Sequence, residues 1–384
     1  MKILFLTTIL PLKPSSGGEI VSKLFVNNLE ALGHSVDVVG YLRQEDTTEF
    51  IPSNMHLAKK VVIESKTSKL FTVTKLLKSF IHGSCYSSEK YITEEYINSM
   101  QSLLYKHDYS LIIIDHFQMG WVLKYLPSNI PIASIAHNVE SDLYKQLSDN
   151  KNTNFIYKYI YTQEACKMRS LENKIINASK YVWLLTENNK IRYSELFANN
   201  ENKLTTVCIP PVKAIDLTYS EENIKKWDIG IIGTWTWKAN MDGLVWFFEN
   251  VYPLLPLSIT ISVAGIGADW LHNKYKNVSY LGFVDSANIF INKSKVIAIP
   301  SIAGDGIQIK SIQAIAQGIQ IVATSFALRG IDDLPSYVQK ADDPIKFKEE
   351  LLLMISSSKE HFDEATKWID NRKVQFTKTF SVFS

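Results

Sequence analysis

The segment between residues 295 and 324 has the residue types and spacing of an anion-binding site. An apolar strand pattern at Lys295–Ile299 leads through a loop rich in small residues to a helix predicted over Ile307–Gln317. The first amide groups of a helix have no intrahelical acceptor, and the helix dipole adds positive potential there. A negatively charged group such as a phosphate is therefore the ligand that this helix start is expected to bind.

Different residues of this segment are expected to contact different parts of the ligand. The backbone amides expected to face the phosphate are those of Gly306, Ile307 and Gln308. Lys310 would add a positive charge in the first turn of the helix. Asp305 lies in the loop, where its carboxylate would repel a phosphate but could hold a sugar hydroxyl. A sugar nucleotide offers both groups side by side, so it is the ligand class that the pattern favours.

The same segment resembles the donor-binding region of the retaining glycosyltransferases grouped as family 4, which have the GT-B fold. Pro300-Ser301 match the end of the family's strand, and Gln313-Ala-Ile-Ala-Gln-Gly318 follows the later part of its pattern. Asp305 and Gln313 occupy the family's two acidic positions at the family spacing, although the family has Glu at both. The resemblance implies that Asp305 orients the donor sugar. Gln313 would contact the nucleotide ribose as a neutral stand-in for Glu.

Three strand ends in the first half of the chain carry further candidates. Gly17-Gly18 follows the first strand and opens a helix, a pattern that an ordinary strand-to-helix turn also gives. His137 follows the strand Ile132–Ala136, and ligands of open parallel sheets bind beyond the carboxyl ends of strands. His116 follows the strand Leu111–Asp115 in the same way, although a single histidine is more often structural. The resemblance implies that the glycine loop approaches the donor phosphates and acceptor, and that His137 hydrogen-bonds the donor sugar.

The first strand of the second half also ends in candidate residues, which are Gly233, Thr234, Trp237, Lys238 and Asn240. Many members of the family have Gly-Arg here and a later Lys, both of which hold pyrophosphate. This chain has Thr234 in place of the Arg and Asn240 near the position of the Lys. The cations left to balance the phosphates are Lys238, Lys310 and Arg329. Tryptophans that only cap the sheet would give a similar pattern.

A glycine pair after another strand completes the candidates in the second half. Gly265-Ile-Gly267 resembles the family's Ala-Gly-x-Gly and is expected to line the pocket for the nucleobase. A Gly-x-Gly sequence is by itself a weak signal.

Strand and helix patterns alternate twice along the 384 residues, which is too long for one ordinary core. The resemblance implies a GT-B fold, with two Rossmann-like parallel-sheet domains that face each other across a cleft. The predicted domains are an acceptor domain over 1–212 and a donor domain over 213–365. The tail, 366–384, would cross back to the first domain.

Composition narrows the class of protein further. Hydrophobic residues make up 46% and charged residues 21%, as in a globular protein, and the net charge of +2 argues against nucleic acid as an obligate partner. Cys85, Cys166 and Cys208 are widely spaced and fit a reducing, cytoplasmic compartment. The apolar N-terminus is predicted to be a strand and not a signal peptide. No Asp-x-Asp sequence and no His/Cys cluster is present, so neither a metal nor a cofactor is expected.

The stretch Lys59–Lys78 contains six lysines against the single acid Glu64. Apolar residues of this stretch and of the next three positions fall on one helical face, which predicts a basic amphipathic helix. Residues 59–81 are therefore expected to contact an anionic membrane peripherally, on its inner face. A solvated helix over a packed apolar stripe would show the same pattern.

The resulting functional prediction is a retaining, metal-independent glycosyltransferase of hexosyltransferase type. It would move a sugar from a nucleoside diphosphate to a glycan or lipid-linked acceptor, as in polysaccharide assembly. The substitutions at Asp305 and Gln313 and the missing Arg leave open a second reading, a catalytically degraded relative that serves a partner transferase as a binding or scaffold subunit. A sugar-nucleotide epimerase is less well supported, because no additional acid/base pair is evident.

Overall fold

The structure is a computed structural model that describes residues 1–14, 16–44, 46, 50–61, 69–150, 153–211, 225–303, 306–357 and 359–380. Asp305, one of the predicted catalytic residues, lies outside these ranges, as do Glu64 and Lys66 of the predicted basic helix. The chain divides into two compact units. Unit 1 comprises Met1–Val207 and Thr379–Ser384, and unit 2 comprises Cys208–Lys378.

Unit 1 is built on a seven-stranded sheet with the order β3-β2-β1-β4-β5-β6-β7, in which every pair of neighbours is parallel. Its strands are β1 Lys2–Ile9, β2 Ser35–Arg43, β3 Met55–Val61, β4 Leu111–Asp115, β5 Ile132–Ala136, β6 Tyr181–Leu184 and β7 Leu204–Thr206. Strands β4 and β5 are buried throughout. Side chains at their carboxyl ends therefore meet at one edge of the sheet.

Helices cover both faces of this sheet, as the right-handed crossovers between parallel strands require. They are α1 Gly17–Ala31, α2 Lys69–His82, α3 Tyr86–Glu89, α4 Glu94–Lys106, α5 Glu140–Asp149, α6 Phe155–Ala178 and α7 Glu187–Leu196. A 3₁₀ segment over Phe117–Tyr125 follows β4. Helix α1 starts at the N-cap residue Ser16, whose Oγ accepts from the Glu19 amide and donates to the Glu19 carboxylate.

Unit 2 has a six-stranded sheet of order β10-β9-β8-β11-β12-β13, again with parallel neighbours. The strands are β8 Trp227–Ile232, β9 Ile261–Ala264, β10 Val278–Gly282, β11 Ser294–Ile299, β12 Gln320–Ala323 and β13 Val338–Lys340. Both sheets have the Rossmann order, in which the direction of winding reverses beside the first strand. In unit 2 that reversal falls between β8 and β11.

The helices of unit 2 are α8 Lys238–Trp246, α9 Ala287–Asn292, α10 Ile309–Ile315, α11 Pro344–Ser356 and α12 Phe362–Lys378. Helix α8 packs very closely on the loop after β11, because a Cβ at Gly243 would lie 2.2 Å from the carbonyl oxygen of Pro300. This contact fixes the spacing of the two segments that follow β8 and β11.

These two parallel sheets confirm the predicted α/β class with two Rossmann-like sheet units. The predictions missed β3 and β13. Strand β3 lies at the sheet edge with a half-exposed, lysine-containing sequence, and β13 is only three residues long. Lys59 and Lys60 belong to β3, so the predicted basic helix was wrong for them, and α2 begins only at Lys69.

Candidate active site

A buried acid and a histidine meet at the ends of β4 and β5 in unit 1. Asp115 is the last residue of β4, and His137 follows β5 directly. His137 Nε2 lies 2.8 Å from Asp115 Oδ1, and both side chains are buried. A carboxylate accepts from this nitrogen, so an imidazole with a single proton holds that proton on Nε2 and leaves Nδ1 as a hydrogen-bond acceptor.

Asp115 is held as an anion by its other contacts. Thr7 Oγ1 and Ser22 Oγ donate to Asp115 Oδ2 at 2.7 and 2.6 Å. Burial by itself raises the pKa of this carboxyl, but the two neighbouring histidines and the donated hydrogen bonds outweigh burial and hold the pKa well below its ordinary value. The carboxylate therefore orients His137 and is itself oriented by β1 and α1.

His116 completes the cluster and sits on a strained backbone. Its φ of 66° lies in the left-handed region, which non-glycine residues rarely adopt and which is found most often at functional sites. The ring stacks on His137 with centroids 3.7 Å apart and planes 14° from parallel. Burial, with the charge of His137 second, lowers the pKa of His116 to about 4, so its ring is neutral at neutral pH.

Gly18, a predicted site residue, explains how the rings fit against α1. A Cβ at this position would lie 3.0 Å from His116 Cε1 and 3.6 Å from His137 Nδ1. Gly17 is the first residue of the same helix. The glycine pair therefore lets the start of α1 approach the two imidazoles, and its predicted contact with donor phosphates and acceptor stays a prediction.

Asp115, His116 and His137 also offer three ligand atoms within 4.8 Å of one another, a spacing that suits a metal. A tetrahedral site needs lone pairs that converge on one point. The in-plane lone pairs of the two stacked histidines lie in nearly parallel planes, 14° apart with ring centroids separated by 3.7 Å, so they do not converge on one point between the rings. We therefore interpret the cluster as a hydrogen-bonded group.

Unit 2 contains a chain of contacts between the segments after β8 and β11. Lys310 Nζ, in the first turn of α10, donates to Asn240 Oδ1 at 2.9 Å. Asn240 Nδ2, on α8, donates to the Thr234 carbonyl at 2.9 Å. The structure therefore brings together three of the predicted binding residues, Thr234, Asn240 and Lys310.

Lys310 is a half-buried cation without a counter-ion among the described residues. Within the described parts of the chain, no carboxylate lies within ion-pair distance of its ammonium. Burial lowers the pKa of Lys310 to about 8. An anion bound here would supply the charge interaction that the described part of the chain does not provide.

The start of α10 differs from the prediction by two residues. The α-helix begins at Ile309, because Gly306 has a φ of 70° and Gln308 is an extended N-cap residue. The free amides of the first turn are accordingly those of Ile309 and Lys310, and the predicted helical amides of Gly306, Ile307 and Gln308 precede the helix. The Gln308 side chain instead bonds Ser301 and Ser311, and thereby ties the helix to the loop after β11.

Gln313 lies one turn beyond Lys310 on α10. Its Nε2 atom is buried and has no hydrogen-bond partner within the described ranges. A buried amide donor without an acceptor is unfavourable, and a ligand oxygen would satisfy it. This fits the predicted contact with a ribose.

The other two predicted cations already have contacts in the structure. Lys238 is strongly exposed and pairs with Asp242 at 2.6 Å, one helical turn along α8. Arg329 Nε donates to the Gly306 carbonyl at 3.2 Å, which braces the loop before α10. Lys310 is thus better placed than either to receive a phosphate.

Gly233 and Gly265 are explained by packing in the loops after β8 and β9. A Cβ at Gly233 would lie 2.8 Å from the ring of Trp235, which is buried and donates to the Ala264 carbonyl. Gly265 has a φ of 111°, and a Cβ there would collide with the Gly233 carbonyl. Both glycines therefore allow the two loops to touch, and the contact with a nucleobase stays a prediction.

Comparison with known proteins identifies the class. Residues 226–357 match the family model of glycosyl transferases group 1. The whole chain superposes on sucrose-phosphate synthase from Thermosynechococcus elongatus, with a TM-score of 0.66, 13% identity and coverage of 98% of this chain and 95% of that one. WaaG, a glycosyltransferase involved in lipopolysaccharide biosynthesis, superposes with a TM-score of 0.59, 15% identity and coverage of 100% and 96%. Anabaena HepE in complex with UDP superposes with a TM-score of 0.54, 11% identity and coverage of 99% of this chain and 97% of that one.

At these identities the superpositions establish the GT-B fold, and the family match covers most of unit 2. No curated protein matches the chain by sequence. The segment 226–357 resembles the group 1 glycosyltransferases, a family of enzymes that transfer sugars from nucleotide sugars. In the part of the chain that the structure describes, no helix has both the length and the apolar character needed to cross a bilayer.

Sequence reasoning missed Asp115. The sequence did contain a signal for it. Asp115 directly continues the apolar strand pattern Leu111–Ile114, although charged residues are ordinarily found in exposed positions. Its partner His137 lies 22 residues further along the chain, and only the pairing of β4 with β5 brings the two together.

Proposed function

We propose that this protein is a retaining, metal-independent glycosyltransferase that uses a nucleoside-diphosphate sugar as donor. The observation that carries the proposal is Lys310, a half-buried ammonium that Asn240 positions and no carboxylate neutralises within the described ranges. A departing diphosphate is the anion that such a group stabilises during sugar transfer. The amides of Ile309 and Lys310 would add the partial positive charge of a helix start.

His137 would contact the donor sugar, with Asp115 fixing its tautomer. Asp305, outside the described residues, stays the predicted partner of the sugar hydroxyls, and Gln313 the predicted partner of the ribose. With Lys310 supplying the positive charge, turnover should survive chelation of divalent cations. A complete loss of transfer in EDTA, restored by added metal, would contradict metal independence.

The proposal is tested first by nucleotide binding to a Lys310→Gln variant. Replacing the ammonium by an amide should weaken the affinity for a nucleoside diphosphate about tenfold to a hundredfold, the value of a charge-assisted hydrogen bond. Because deprotonated Lys310 has no charge, the affinity of the unmodified protein should also fall as the pH rises through about 8. Isothermal titration calorimetry with UDP and GDP measures both effects. A range of roughly pH 6 to pH 9.5 extends about 1.5 to 2 units on either side of the pKa of Lys310.

Lys238→Gln is the matched control, since it removes an exposed lysine of unit 2 that is already paired. Its affinity and pH dependence should stay within about twofold of the unmodified protein. Equal affinities in the two variants would contradict the role given to Lys310.

Transfer itself requires a donor panel with product analysis. Nuclear magnetic resonance of the product would report whether the anomeric configuration is retained, and a hexose is the sugar we expect to be moved. Nucleotide binding without turnover on any donor or acceptor extract would favour the alternative, a degraded relative that acts as a scaffold subunit. The acceptor we propose is a glycan or lipid-linked oligosaccharide in polysaccharide assembly, reached from the inner membrane face.

A further inference from the structure

The start of α6 is an unpacked helix end covered with large apolar side chains. All five residues of Phe155–Tyr159 are exposed, and no residue of α6 is buried before Glu164. Phe155 is 84% exposed and Ile156 is 65% exposed. A helix normally buries one apolar face against its own protein, so a start that is exposed on every side implies an external partner.

The end of α2 lies beside this helix and has the same character. Ser79 Oγ donates to Glu164 Oε1 at 3.3 Å, and Lys167 Nζ donates to Ser79 Oγ at 3.1 Å. Phe80 and Ile81, the next residues of α2, are 79% and 76% exposed. Both helices of unit 1 therefore expose large apolar side chains. We group these side chains under the name α2–α6 face, which comprises Phe80, Ile81, Phe155, Ile156, Tyr157 and Tyr159.

The charge around this face is positive. Lys78 and Lys158 are exposed among the apolar residues, and Arg169 is exposed further along α6. Helix α2 contains no acidic residue. From Phe155 to Leu171 the only acid of α6 is Glu164, which is buried and paired with Lys167.

We infer that the α2–α6 face docks unit 1 on the surface of an anionic lipid bilayer. Aromatic rings and lysines without exposed acids suit the headgroup region, where rings insert at the boundary of the acyl chains and ammonium groups pair with lipid phosphates. The inference deepens the proposed function, since it rests on the expectation of a membrane-linked acceptor. It also relocates the predicted contact, from residues 59–81 alone to the end of α2 together with the start of α6.

Vesicle binding of the full chain tests the inference without any sugar donor, so its failure and the failure of the proposed function are distinguishable. The protein should sediment with phosphatidylcholine vesicles that contain phosphatidylglycerol, and bind pure phosphatidylcholine at least about fivefold less well. Phe80→Ser, Phe155→Ser and Tyr157→Ser combined should lower the partition coefficient at least about tenfold. Lys78→Gln with Lys158→Gln should abolish most of the salt dependence of binding.

Tyr105→Ser in α4 and Phe283→Ser in unit 2 are matched controls, because both remove a strongly exposed ring elsewhere. They should bind vesicles like the unmodified protein, with all variants sharing its far-ultraviolet circular dichroism. Equal binding of the triple variant and the controls would overturn the inference, as would absent binding of the unmodified protein. A face that instead joins two copies would be revealed if the triple variant changed only the sedimentation velocity, and that result would also overturn it.

Discussion

At the scale of single residues, two ionisable groups define the candidate sites and differ in how their charge is satisfied. Asp115 keeps its charge because two hydroxyls and His137 donate to it. Among the residues that the structure describes, Lys310 has the neutral Asn240 oxygen as its side-chain partner and no carboxylate. The first group is already satisfied by the protein and positions another side chain, whereas the second is left for a ligand.

Asp115→Asn should separate positioning from binding. The amide retains an acceptor for His137 but loses the charge that fixes the imidazole proton on Nε2, so we expect turnover to fall about tenfold or more with nucleotide affinity unchanged. Steady-state kinetics gives the first quantity and calorimetry the second. Nitrogen chemical shifts of His137 should report mixed tautomers in the variant only.

Asp37→Asn is the control for this experiment, because Asp37 is a buried carboxylate of the same sheet that bonds Tyr109 at 2.7 Å and pairs with Lys2. Its substitution should lower stability without changing tautomers or turnover per folded molecule. If Asp115→Asn behaved in the same way, Asp115 would be a structural residue only.

At the scale of elements, glycine-dependent contacts fix how the site segments approach. Gly243 lets α8 touch the Pro300 carbonyl, which places Asn240 within reach of Lys310. Gly18 does the same for α1 and the histidine pair in unit 1. In both units a helix comes close to the segment that follows a strand because one side chain is missing.

Gly243→Ala tests the contact in unit 2. The substitution has two opposing effects on stability, a gain from helix propensity and a loss from overpacking. Alanine alone would stabilise a helix by about 1 kcal/mol, but its Cβ would lie 2.2 Å from the Pro300 oxygen and force α8 away. We expect overpacking to win, with a net loss of about 1–3 kcal/mol and weaker nucleotide binding. Urea unfolding and calorimetry measure these effects.

Asp242→Ala, the neighbouring position of α8, gives the reference for this substitution. It removes only an exposed ion pair and should change the free energy of unfolding by less than about 0.5 kcal/mol. A Gly243→Ala protein more stable than the unmodified one would show that the close approach is not required.

At the scale of the whole molecule, each unit has its own sheet and its own apolar core. Unit 1 also contains an internal polar group, since Glu172 on α6 accepts from Ser141 Oγ at 2.6 Å and from Tyr193 Oη at 3.0 Å. Tyr193 Oη lies 3.1 Å from the Asn138 carbonyl as well, so its single proton faces two acceptors. A proton on Glu172 would satisfy both contacts.

This network predicts a pH dependence confined to unit 1. Burial raises the pKa of Glu172 to about 7, well above its value in the unfolded chain. The protonated form therefore favours the folded state, so this stabilisation is complete below about pH 4.5 and is lost as the pH rises through 7. We expect the free energy of unfolding to decline by about 1–3 kcal/mol between pH 5 and pH 8 for this reason, with the upper end set by a rise of roughly 2.5 units in the pKa of Glu172. Glu172→Gln should remove this decline.

Thermal unfolding with probes in each unit measures the effect. As the pH rises, the unfolding temperature of unit 1 in the Glu172→Gln variant should increase relative to that of the unmodified protein. The unfolding temperature of unit 2 should be the same in both proteins. A variant whose stability followed the unmodified protein at every pH would contradict the assignment to Glu172.

Apolar runs of strand length and glycine-bearing turns are local signals, so they predict the two parallel sheets and the strand ends at which the candidate residues lie. The spacing of Lys238 and Asp242, one helical turn, is a local signal as well. The meeting of Asp115 with His137 across two strands, and of Lys310 with Asn240 across 70 residues, became visible in the folded chain and not before. The same holds for the exposure of the rings at the start of α6. Pairing and burial depend on what the rest of the chain packs against each residue, and no local pattern contains that information.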